Sequence, residues 1–165
     1  MHRSPIKSND FYEFNKKNKR TMTKSVSLER AAGNEFVPAT GEVGCEGLTP
    51  SEMILYAAGK AVGNDIIALL GSVASRVMSL KITVEGSVIT RGKERSGSFR
   101  EFLFKYEVTC RDADDHARIS RAIELAHGKY CALVRMLKMI GPVAYDIYIQ
   151  SKGSSIGKTK EEVMT

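Results

Sequence analysis

The chain has 165 residues, 42% hydrophobic and 27% charged, with a net charge of +6; that is enough for one domain, or one domain with an arm, and a chain of this length buries about 70% of its unfolded surface without a disulfide staple. Its three cysteines, Cys45, Cys110 and Cys131, form no CxxC pair, which argues against a zinc site and a secreted disulfide framework and for reduced thiols in the cytoplasm. The longest apolar stretch, Met53 to Leu70, is interrupted by Lys60, Asn64 and Asp65, so no membrane span is expected, and the polar N-terminus offers no apolar core of a secretory signal.

Residues 1 to 24 hold seven basic side chains (Arg3, Lys7, Lys16, Lys17, Lys19, Arg20, Lys24) against Asp10 and Glu13, so this segment carries +5 of the net charge. A basic arm can meet nucleic acid or an acidic surface. Without a nucleic-acid motif, the simpler reading is a solvated hairpin tip. Residues 1–30 are therefore read as a basic β-hairpin arm that belongs to the fold, with Met22 as an alternative start. In it Phe11, Tyr12 and Phe14 favour a strand, Asn15 to Arg20 a polar turn, and Val26 and Leu28 a returning strand.

From Ala31 to Thr49, four glycines and Pro38 predict a long loop. Thr49-Pro50-Ser51-Glu52 then opens a helix: Thr49 caps the free amides, Pro50 suits the first turn and Glu52 closes a capping box. Apolar residues run nearly all the way round it, predicting a buried central helix. Gly59 and Gly63 predict close packing against another backbone, and Lys60 and Asp65 need partners or a route to water.

Ile82, Val84 and Val88 predict a strand after Leu80. "RGKERSG" (91–97) reads as a charged turn. Phe102, Phe104, Tyr106, Val108 and Cys110 then fall on one face of a period-two strand, which makes Cys110 a core thiol. Asp112 caps a second helix with Asp115 in its first turn and a stripe of Ile119, Ala122, Ile123 and Ala126. Gly128 interrupts it, a helical pattern resumes through Tyr130, Val134 and Leu137, and Gly141-Pro142 stops it. Val143, Tyr145, Ile147 and Ile149 predict a last strand, and residues 151–165 a loose tail with at most a terminal turn. Strand pairs separated by helices argue for an α+β fold.

Cys131 is the residue with the most chemistry in prospect. In the first turn of a resumed helix, near Lys129 and Arg135, unpaired amides favour a thiolate. The competing reading is a buried structural thiol. His127 and Cys131 supply only two metal ligands, and His2 and His116 lack supporting spacing, so neither metal nor cofactor is expected.

Two stretches resemble one family. "TPSEMILYAAGKAVGNDIIALL" is similar to the first central helix of the OsmC/Ohr proteins, the osmotically inducible and organic-hydroperoxide-resistance family. "AIELAHGKYCALVRMLKMIGPVAYDIYI" is similar to that family's second motif. The resemblance implies an α+β core over residues 31–150 and two chains intertwined around paired central helices. It also implies a thiol peroxidase site at their interface, where one cysteine attacks an organic hydroperoxide, a second resolves the product as a disulfide, and an external thiol reduces it. By this resemblance Cys131 takes the second cysteine's place, while the first falls on Ala61. The assisting glutamate falls at Ser51, with an acid, Glu52, one place on. Arg20 and Arg30 are the candidates for the assisting arginine, and Cys45 is a candidate auxiliary thiol. The implied function is a stress-response protein related to hydroperoxide reductases whose activity is altered or lost. The alternative is a non-catalytic ligand-binding or redox-sensing dimer. The partners implied are a second copy, an organic hydroperoxide and a thiol reductant, with no membrane and no nucleic acid.

Overall fold

The computed structural model describes residues 21–40, 45–90 and 97–152, and the main chain of 159–161. The expected strand at Phe11–Phe14, the turn at 15–20, Gly41, Gly44 and the charged turn up to residue 96 lie outside the described residues.

Among the described residues, six strands form one sheet in the order β2-β1-β3-β4-β5-β6: β1 Thr21–Arg30, β2 Phe36–Pro38, β3 Val77–Ile89, β4 Ser98–Cys110, β5 Val143–Ser151 and β6 Thr159–Glu161. The helices are α1 (Pro50–Leu70), α2 (His116–Leu125) and α3 (Ala132–Ile140). This is the expected α+β class. Adjacent strands run antiparallel except β4 and β5, which are parallel in register from Phe102↔Val143 to Cys110↔Ser151. A parallel pair needs a crossover, and α2 and α3 supply it.

The period-two pattern of β4 sets the core. Phe102, Phe104, Tyr106, Val108 and Cys110 are buried and meet Ile82, Val84 and Leu28 from the neighbouring strands in one cluster. The helices cover this face. Leu55, Ala58, Val62, Ile66 and Leu70 of α1 and Val134 and Leu137 of α3 join the same cluster.

The start of α1 is as its sequence dictates. Thr49 Oγ1 accepts from the Glu52 amide (3.4 Å), and Glu52 Oε2 accepts from the Thr49 amide (2.7 Å). Its two inner glycines make room for side chains and not for a backbone, as their spacing had implied. A Cβ on Gly59 would lie 2.5 Å from Leu28 Cδ1, and one on Gly63 would lie 2.6 Å from Phe36 Cε2.

Several elements differ from the sequence-based expectation. The long loop after β1 contains a 3-10 turn (Ala32–Asn34) and β2, whose Phe36 is fully buried. A strand of three residues has no periodicity to read; its register with Leu28–Arg30 and the slot at Gly63 define it. Asp112 makes no side-chain cap. A 3-10 turn (Ala113–Asp115) precedes α2, and Asp115 turns to Arg76 instead. Tyr130, read as part of an apolar stripe, is half exposed because a π-type turn (Ala126–Tyr130) rotates the chain before α3. In the tail, Thr159–Glu161 pairs with Ile147–Ile149 and uses the outer edge of β5. Finally, Pro50–Arg76 is by length and composition apolar enough to cross a membrane. An unbroken apolar run is a stricter criterion than an average, and two charged residues spread over five turns do not lower that average enough. In the fold this helix packs one side against the sheet.

Candidate functional site

Cys131 sits where the π-type turn gives way to α3, as the N-cap residue with extended dihedrals (φ −76°, ψ 111°). Its amide donates to the Ala126 carbonyl (2.9 Å) and its carbonyl accepts from Arg135 (3.1 Å). The side chain is 0% exposed.

Three groups act on the sulfur. Burial, the largest effect, pushes the Cys131 thiol up from its ordinary value. The amides of Val134 and Leu133 face the sulfur and pull it down, without reaching the geometry of a formed capping hydrogen bond. The Asp65 carboxyl, from α1, adds to the rise as an acceptor for the thiol proton and by its charge. Of the two readings of Cys131, its complete burial and the upward push on its thiol agree with the buried thiol, the helix-start effect being the smaller one.

Behind Cys131 lies a buried set of polar rings. The Tyr106 hydroxyl, on β4, is hydrogen-bonded to His127 Nε2. His127 stacks on Tyr145 (centroids 4.5 Å apart, 26°) and meets Phe104 edge-on (4.9 Å, 85°). Burial raises the Tyr106 phenol well above its ordinary value, and Cys131 and Tyr145 add to the shift. Burial likewise drives His127 down to about 3, helped by the Lys138 cation, whose ammonium donates to the His127 carbonyl (2.6 Å). His127 is thus a neutral ring among aromatics. Among the described residues no three His, Cys, Asp or Glu side chains converge as metal ligands would.

The other candidates are dispersed. Ala61 is partly buried against the core, one turn before Asp65 and on the same face of α1. Glu52 is occupied by the capping box, which holds its carboxyl below the usual range. It lies 13 residues, about 20 Å along the helix, from Asp65. Arg30 donates through NH1 to the carbonyls of Ala74 (3.0 Å) and Val77 (3.2 Å) and through Nε to Asn34 Oδ1 (3.0 Å), tying two turns together. Arg20 lies outside the described residues. Cys45 is exposed, ahead of α1, and its carbonyl accepts from Leu48 (3.2 Å). Cys110 is the expected core thiol, donating towards the carbonyls of Asp112 (3.2 Å) and Gln150 (3.6 Å).

Sequence reasoning had asked only that Asp65 find a partner, and had placed Tyr106 and Tyr145 in the core without a role. The structure brings Cys131, Tyr106 and His127 into one buried region from the N-cap of α3, β4 and the π-type turn. The signal was there in part: Asp65 is an acidic residue one turn after the Ala61 position in a largely apolar stretch of helix.

A family model described as OsmC-like protein matches residues 42–145. The protein YhfA of Escherichia coli K12 is 29% identical over 110 residues, covering 67% of this chain and 78% of YhfA, and YhfA of Shigella flexneri matches equally. Among solved structures, an OsmC-like protein from Mycoplasma pneumoniae superposes with a TM-score of 0.50 at 11% identity, over 80% of this chain and 98% of that one. An organic hydroperoxide resistance protein OsmC from Legionella pneumophila gives 0.47 at 12% identity, over 77% and 95%.

Proposed function

The chain belongs to the OsmC-like protein family, and from that premise we propose that it is a relative of the thiol hydroperoxide reductases that has given up their two-cysteine cycle. The observation that carries the reading is the state of Cys131: fully buried, with its thiol pushed up by burial and by the Asp65 carboxylate. In the cycle that the resemblance implies, one thiolate attacks the peroxide O–O bond and becomes a sulfenic acid, releasing an alcohol. A second thiolate displaces water to form the disulfide. Here Ala61 stands in the attacking place and has no sulfur, and Cys131 in the resolving place is held as a thiol. Reactivity of a cysteine follows its thiolate fraction and access, and Cys131 has little of either.

The same premise supports a homodimer. Met53 and Ile54 on α1, Tyr130 at the end of the π-type turn and Met136, Met139 and Ile140 along α3 are large apolar side chains left exposed, Met139 at 87%. One sheet face covers one side of α1, and a second copy would cover the rest. All three thiols are free in the single chain, as a reducing cytoplasm would keep them. Thiol titration after one equivalent of cumene hydroperoxide tests the reading: the native wild type retains Cys131, and its stoichiometric loss would overturn the proposal.

A further inference from the structure

We propose that the outer face of the sheet, opposite the helices, is a docking surface for the basic segment of this same chain, residues 1–20. The segment then serves as a cover for the sheet, in place of the solvated tip that its charge alone suggests.

The argument begins with which side chains share that face. Side chains alternate across a strand. Val26, Val84, Phe104 and Tyr145 belong to the core under the helices, so the residues between them point away from it. Strand pairing aligns those residues in rows. Thr23 stands opposite Ser87, and Ser87 opposite Glu101. The next row runs from Ser25 through Glu85 and Leu103 to Ala144, and the one after it from Ser27 through Thr83 and Lys105 to Asp146. No helix residue joins Leu103 and Ala144, which form a buried cluster of their own. Yet Leu103 is 0% exposed, as is Ser87, and Asp146 is 5% exposed. A leucine in the middle of a sheet face left to water would not be sealed in this way.

Four oxygens on this face are buried without a hydrogen-bond partner: Thr21 Oγ1, Ser87 Oγ, Glu101 Oε2 and Asp146 Oδ1. A buried oxygen without a donor is costly, so the face calls for donors. Two of the four oxygens belong to carboxyl groups, which calls for cationic ones. Down to the row of Glu29, Lys81 and Glu107, the rows hold five acidic side chains against two lysines. Both lysines are paired, Lys105 with Glu85 (2.6 Å) and Lys81 with Glu107 (3.8 Å).

The segment that leads into β1 has the complementary chemistry. Residues 1–20 hold six basic side chains against two acidic ones, and Ile6, Phe11, Tyr12 and Phe14 offer apolar surface to Leu103 and Ala144. The reach is short. The segment joins the sheet at Thr21, itself the site of one unpartnered oxygen. Glu101 lies two strands from β1, about 10 Å, and Asp146 three strands, about 14 Å. Twenty residues of extended chain reach about 65 Å.

The test is hydrogen–deuterium exchange of the full chain, read on residues 1–20 and compared with a synthetic peptide of that segment. In the wild type the segment should exchange about tenfold more slowly than the peptide. Glu101→Gln with Asp146→Asn keeps the shapes and removes both charges. It should bring the segment to within about twofold of the peptide while α1 stays protected. Exchange of the wild-type segment at the peptide's rate would overturn the proposal, and so would equal protection in the wild type and the folded variant. Should the variant fail to fold, lysine-directed cross-linking of the wild type decides. Links from Lys81 or Lys105 to Lys16, Lys17 or Lys19 should appear in the single-chain band at 18.2 kDa. Links found only at twice that mass would give the face to a second copy's segment, and no such links would give it to another partner; either result overturns the proposal.

Discussion

The Tyr106 hydroxyl and His127 Nε2 are bonded to each other inside the core, while His127 Nδ1 has no partner. An imidazole so placed stays neutral. Its folded-state value of about 3 lies far below the ordinary 6.5, so between these limits the unfolded chain binds a proton that the folded chain refuses. Stability from this group is complete above pH 6.5 and declines as pH falls, by about 1.4 kcal/mol per pH unit. Urea unfolding between pH 7.5 and 4.5 should show this slope. His127→Gln, less stable at neutral pH, should lose it. Equal slopes for the two proteins would place the acid sensitivity elsewhere.

Arg76 closes the far end of the core by gripping Asp115 at two points, Nε to Oδ2 and NH2 to Oδ1, each 2.7 Å. The pair holds the 3-10 turn before α2 against the residue that leads into β3. Its hydrogen bonds hold the Asp115 carboxyl below the usual range, so its contribution is present above the ordinary carboxylate value and is lost as pH falls through the lowered one. Asp115→Asn should lower the thermal midpoint at pH 7, and the gap to the wild type should narrow on acidification below about pH 4. A gap that does not change with pH would show that packing, not charge, is at stake.

Gly63→Ala should destabilise the fold. A methyl there would stand 2.6 to 2.8 Å from three ring atoms of Phe36, which is fully buried. The gain in helix propensity, about 1 kcal/mol, opposes an overpacking cost of about 1–3 kcal/mol, so a net loss of about 1 kcal/mol is expected in chemical denaturation. Phe36→Leu in the same chain should recover part of it. A Gly63→Ala protein more stable than wild type would mean that β2 is not pinned to α1 by this slot.

If the exposed apolar side chains of α1 and α3 meet a second copy, light scattering at micromolar concentration should give twice 18.2 kDa. Met139→Lys with Met136→Lys should shift the mass towards the monomer. A wild type that stays monomeric and folded would remove the dimer from the proposal.

What the sequence makes legible follows physical range. The capping box of α1 is written in four consecutive residues, and β4 in an alternation five residues deep, so both are read correctly. β2 is too short for a pattern. Gly128 signals a break, but not that a π-type turn would expose Tyr130 and bury His127. The sequence left Cys131 between an activated and a buried thiol, because the helix-start effect is local whereas burial is set by packing of distant segments. Asp65 was recognised as needing a partner, but its identity is a tertiary fact. Arg30 carried no local sign that it would clamp two turns.

The most direct measurement is steady-state consumption of cumene hydroperoxide with dithiothreitol as reductant, comparing the wild type, Cys131→Ser and Ala61→Cys. The account predicts that the wild type and Cys131→Ser consume peroxide no faster than the protein-free control. It predicts that Ala61→Cys, which supplies the missing sulfur, gains peroxide consumption. Reductant-supported turnover by the wild type, abolished in Cys131→Ser, would contradict it.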